Sequence, residues 1–251
     1  MRIAIAAPLL LLIVGGCAKK PPPQDVPRYD QYIAEWADMG MWLPKQDQIQ
    51  YFSTNFTKAY PSLKKALDDS DQSVRMRAAY VIDEIGSPAR AAGPDLLSRL
   101  KIEPDVVVRM YIVDALIGIG YRGEDTVATL TQQFEALDGA NVPPIGAGTY
   151  AEVDEKVVVA SALYALGDES AKSKYFDFVT GWLKPIPGDV TGALLEGYWE
   201  RRWIAVNSLE HMHGATEAIP LMEAMRAEAD AESWVDTHVP RVIYALQRDG
   251  K

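Results

Sequence analysis

The chain is expected to be all-α, an α-solenoid of about five helical hairpins behind an N-terminal helical cap. Three observations predict that class. First, an aspartate, a Val-Arg pair and a glycine-terminated apolar run occur together in "DQSVRMRAAYVIDEIG" (71–86). The same order returns 34 residues later in "DVVVRMYIVDALIGIG" (105–120), so that Arg75 matches Arg109 and Gly86 matches Gly120. Second, glycine and proline fall mostly between runs of helical periodicity, and few segments alternate as strands do. Third, "VVVRMYIVDALIGIG" is apolar nearly all round, the pattern of a helix covered on both sides. A lone helical hairpin cannot bury its apolar face, whereas stacked hairpins bury a continuous one.

Composition suits a folded chain: 251 residues, 48% hydrophobic and 24% charged. A net charge of −10 with no basic stripe excludes nucleic-acid binding, which depends on clustered Lys and Arg.

Taken in order, residues 1–16 are expected to be a signal peptide. Arg2 precedes an apolar run, Ile3 to Val14, that is too short to span a bilayer. "VGGC" (14–17) follows: an aliphatic residue, two small residues and cysteine. It resembles the lipobox of bacterial lipoproteins. That resemblance implies cleavage before Cys17, a diacylglyceryl group on its sulfur and an acyl chain such as palmitate on its new amino group. Each buried methylene adds ~0.8 kcal/mol, and stable anchoring takes more than one chain. Cys17 is the only cysteine, so an intramolecular disulfide is excluded. Residues 17–27 then form a tether, whose "KKPPPQDVP" favours extended polyproline II at ~3.1 Å per residue.

Residues 28–60 form the cap, with amphipathic helices expected over 28–42 and 45–60, and residues 61–251 form the repeat domain. In the first unit Val74, Ala78, Ile82 and Ile85 share one helical face; in the second, Val108, Ile112, Leu116 and Ile119 do. "EKVVVASALYALGD" (155–168) is a third copy, with Lys156 in register with Arg75. "RRWIAVNSLEHMHG" (201–214) is a fourth, carrying Arg202, and "THVPRVIYALQRDG" (237–250) closes the array. The segment 137–155 interrupts the period as a long Gly/Pro-containing loop, either functional or simply mobile.

This pattern resembles HEAT repeats, including the HEAT-like repeats named after phycobilisome lyases, on Asp69, Asp71, Val74 and Arg75 and on Glu103, Asp105, Val108 and Arg109. The resemblance implies a polar ladder between neighbouring units. It pairs Asp71 or Asp69 with Arg75 and Asp105 with Arg109, and continues through Lys156 and Arg202. It also implies binding through a concave face lined by the second helix of each unit. Positions opposite the core stripe are Arg77, Tyr80 and Glu84, then Tyr111 and Asp114, then Asn207 and His211. Their mix of aromatic and charged groups suits a protein partner better than a membrane.

Other chemistry is thinner. "HMH" (211–213) has the look of a metal pair, with Asp236 or Glu210 to complete it, yet helical ligands prefer spacings of three or four. No metal or cofactor is expected. Arg201 and Arg202 beside Trp199 and Trp203 are better explained as packed residues than as an anion site. No phosphate loop, nucleophile elbow or Cys-His pair occurs. The expectation is therefore a non-catalytic, lipid-anchored scaffold, on the outer membrane facing the periplasm, that binds a protein partner and touches the membrane only through its anchor. The lipoprotein resemblance implies the outer membrane, since Ala18 after the cysteine replaces the aspartate associated with inner-membrane retention in enteric bacteria. Two rivals remain: a metal- or small-ligand-dependent, lyase-like enzyme using the His211/His213 region, and a structural spacer.

Overall fold

The computed structural model describes residues 28–40, 42–123, 125–137, 150–167, 169–186, 188, 190–228 and 232–249. The expected signal peptide, Cys17, the expected tether and residues 138–149 of the expected loop lie outside them. The described residues are all-α, with no strand among them. The helices are α1 (Arg28–Trp36), α2 (Gln46–Thr54), α3 (Phe56–Leu67), α4 (Gln72–Ile85), α5 (Gly93–Leu100) and α6 (Val106–Gly118). They continue as α7 (Thr126–Ala136), α8 (Tyr150–Leu166), α9 (Lys172–Gly181), α10 (Ala193–Glu210), α11 (Ile219–Arg226) and α12 (Ser233–Asp249). No helix among the described residues is long and apolar enough to cross a membrane.

The two matching segments form matching helices. Asp71 caps α4 by accepting a hydrogen bond from the Ser73 backbone N–H at 2.7 Å, and Asp105 caps α6 by accepting from Val108 N–H at 3.0 Å. Gly86 ends α4 at φ +69°, and Gly120 closes the second segment at φ +63°, in the left-handed region where a side chain would be strained. Between these stops the stripes are buried: Val74, Ala78, Ile82 and Ile85 on α4, and Val108, Ile112, Leu116 and Ile119 in and after α6. Each such aliphatic side chain contributes about 1.5–3 kcal/mol when fully buried.

Packing follows the chain. α4 lies on α6, α6 on α8, α8 on α10 and α10 on α12; α3, α5, α7 and α11 lie against α4, α6, α8 and α12, and α9 against α8 and α10. α6 is thus covered on both sides, which accounts for its all-round apolarity.

Three local expectations change. The helix expected over 28–42 ends at Trp36. The helix expected over 45–60 breaks at Asn55, whose side-chain amide donates back to the Tyr51 carbonyl at 2.8 Å, and α3 runs on past residue 60 through Pro61. The interrupting loop is also shorter than expected. Residues 150–155, "YAEVDE", belong to α8, because good helix formers there lead into its apolar run.

Candidate functional site

The polar ladder is present but runs forward along the chain. Arg75 donates from Nε and Nη2 to the two oxygens of Glu103, each at 2.8 Å, and from Nη1 to the carbonyls of Asp69 and Ser70. Arg109 repeats this arrangement on Glu155 at 2.6 and 2.7 Å, with Nη1 on the carbonyls of Glu103 and Pro104. The expected pairs of Asp71 or Asp69 with Arg75 and of Asp105 with Arg109 are therefore corrected: Asp71 and Asp105 cap their own helices, Asp69 meets Arg75 through its backbone carbonyl, and the arginines take carboxylates further along, Glu103 after α5 and Glu155 in α8. Burial alone would raise the Glu103 carboxyl, but donors on Arg75, the Asp105 N–H and Arg99 outweigh it and hold the group below its usual range. Lys156 holds its ammonium over the rings of Phe134 (4.7 Å) and Phe178 (5.4 Å). Arg202 donates to both oxygens of Glu228 at 2.7 and 2.8 Å and stacks on Trp199 at 4.6 Å.

A second feature is open to solvent. Side chains of α6, α8 and α10 enclose a groove of about 340 Å³. Four sequence-predicted residues line it: Tyr111, Asp114, Asn207 and His211. His211 Nε2 stands 3.9 Å from Asp114 Oδ1. Asn207 Oδ1 is hydrogen-bonded to His238 Nε2 of α12, and Trp203 stacks on the same imidazole at 6.3 Å. Trp203 lines the groove while keeping 45% of its surface exposed. Tyr80 adjoins edge-on to Tyr111 at 6.2 Å, and burial first, then the nearby Glu84, pushes its phenol up to about 12.

The groove is hostile to ionised carboxyls. Burial raises Asp114 to about 7. Asp154, at the start of α8, reaches about 7 by burial and by Glu200, against the opposing charge of Arg201. Asp83 of α4 also reaches about 7, through burial, Asp114 and Glu84, with His211 working the other way. His211 is lowered chiefly by burial, which favours the neutral ring.

Arg77, expected on this face, is buried elsewhere. Its guanidinium donates to the carbonyls of Trp42 (2.9 Å) and Ser73 (2.9 Å) and to that of Gly40, so it ties the α1–α2 connection to α4. The cap covers the position that faces the groove one unit later. Asp83 and Asp154 escaped the sequence reading. Asp83 leans on Gly118, whose missing side chain makes room for the carboxylate, and Asp154 fell in the expected loop. Among the described residues no three His, Cys, Asp or Glu side chains converge as a metal site would need. Compared with known proteins, the chain matches no family model and no curated protein sequence.

Proposed function

We propose that this chain is a lipid-anchored scaffold, an α-solenoid of HEAT-type helical hairpins, that holds a protein partner in the groove between α6, α8 and α10 without catalysis. Cys17 and the proline-rich tether would fix it to the outer membrane on the periplasmic side. The lipobox-like start and the 34-residue recurrence support the anchor and the architecture. The sequential packing of α4, α6, α8, α10 and α12 supports the repeat reading further.

The observation that carries the binding role is the groove itself. It gathers residues from three helices around an exposed tryptophan, the type of anchor that dominates protein interfaces. The test is in-cell crosslinking followed by mass spectrometry of the intact lipoprotein, beside a Tyr80→Ala/Tyr111→Ala variant. One stoichiometric partner, lost in the variant, is the expected result; a clean preparation without a partner would sink the reading.

A second reading, a small-ligand-dependent enzyme, has one observation in its favour. The groove has the volume of a small-molecule site and brings a neutral-leaning His211 beside Asp114. Turnover abolished by His211→Ala would establish it.

A further inference from the structure

We propose that the groove receives a lysine or arginine side chain presented by the protein partner. The inference rests on the scaffold reading and names the chemistry by which the partner is recognised.

The first observation is an orphan acceptor. Asp154 lines the groove, is only 7% exposed, and among the described residues its Oδ1 has no hydrogen-bond partner. A buried carboxylate oxygen without a donor is costly, and native proteins seldom leave one so. Asp114 supplies a second carboxyl on the opposite helix. Among the described residues no Lys or Arg lines the space, and the basic group that does, His211, is held toward the neutral form. Charge complementarity therefore calls for a cation from outside. Arg201, the cation near Asp154, is itself buried, donates to the Gly197 carbonyl and packs on Trp182 at 5.4 Å. Its charge does not overcome the burial that raises Asp154.

The walls select the form of the cation. Trp203 and Tyr111 bring aromatic rings to the lining, a surface that attracts an ammonium or guanidinium, and Val107 and Val158 bring apolar surface for an alkyl stem. A cation at this place would also restore the ionised form of Asp114 and Asp154. The net charge of −10 favours approach of a basic partner.

The test uses the full chain in detergent at about pH 8, where carboxyls titrating near 7 are ionised. Acetyl-Gly-Lys-Gly-amide, its Nε-acetyl-lysine counterpart and spermidine are titrated by calorimetry and by tryptophan fluorescence. The lysine peptide binds, the acetylated one does not, and Asp154→Asn weakens binding about tenfold, as loss of a charged hydrogen bond does. Trp203→Ala, whose folding is checked by circular dichroism because the ring stacks on His238, weakens it as well and abolishes the fluorescence change. Equal binding of both peptides, no binding of either, or an unchanged Asp154→Asn overturns the inference. Spermidine binding without the lysine peptide overturns the protein source of the cation. If a partner crosslinks to the native chain while no lysine peptide binds, this inference falls and the scaffold stands. If the peptide binds but no partner is ever recovered, the scaffold falls and takes the protein source with it.

Discussion

Arg75 on α4 grips Glu103 with two hydrogen bonds of 2.8 Å, and the glutamate side chain is fully shielded from water. Such a pair has a large desolvation cost, so its value lies less in net stability than in the penalty for breaking it. Arg99 also donates to Glu103, at 2.8 Å, which leaves the carboxylate part of its compensation when Arg75 is lost. Arg75→Ala is therefore expected to destabilise the chain by about 2–4 kcal/mol. Asp71→Ala, which removes only the α4 cap, should cost about 1 kcal/mol. Urea unfolding followed by circular dichroism separates the two. Equal losses would mean that Asp71, not Glu103, sustains the arginine.

Asp114 gives the stability a definite pH slope. Its carboxyl titrates at 3.8 when unperturbed and at about 7 in the fold. Between those values the folded state binds more protons than the unfolded one, so stability falls as pH rises from about 4 to about 7 and is level above that. Asp114→Asn should match the native chain near pH 4 and exceed its stability by about 1–3 kcal/mol at pH 8. Taking the difference between variant and native chain at each pH removes the contribution of Asp154, while Asp83, which Asp114 raises, and the neighbouring His211 add to the slope. A difference that does not vary with pH would show that folding leaves the Asp114 carboxyl unshifted.

Gly118 and Asp83 fix how closely α4 and α6 approach. A β-carbon on Gly118 would lie 1.9 Å from Asp83 Oδ1 and 3.2 Å from the Asp83 carbonyl oxygen. Gly118→Ala is expected to lower stability by about 1–3 kcal/mol through this overpacking, despite alanine's better helix propensity. In an Asp83→Ala background the same substitution should be neutral or stabilising. A double-mutant cycle by chemical denaturation reads the coupling, and additive losses would rule out the contact.

The sequence carried the periodic part of this structure and little of what depends on neighbours. Val74, Ala78, Ile82 and Ile85 could be placed in the core because burial follows the helical period. Asp71 and Asp105 stood out for their shared spacing, but spacing does not say which donor a carboxylate will meet. Their short side chains reach the next N–H groups, and Glu103 and Glu155 come to the arginines only when consecutive helices pack. Arg77 and Tyr111 occupy equivalent places 34 residues apart, yet one lies under the cap and the other faces the groove. Nothing local to Arg77 signals the α1–α2 connection folding over it. Asp154 was hidden for a different reason: glycines and prolines just upstream masked the first turns of α8.

The forward reach of the arginines bears on how the chain comes apart. Glu103 lies 28 residues beyond Arg75, and Glu155 lies 46 beyond Arg109. If the α5–α6 pair opened on its own, Arg75 would lose its carboxylate and Glu155 its guanidinium, stranding charge on both sides of the gap. Partial unfolding in the middle is therefore penalised twice, whereas fraying at the α12 end breaks only the contacts of α12. Such wiring makes the segment from α4 to α8 behave as one cooperative block in hydrogen exchange. The two spans differ by 18 residues while the geometry at their ends is the same. The same two-oxygen grip therefore closes over chain spans of different length.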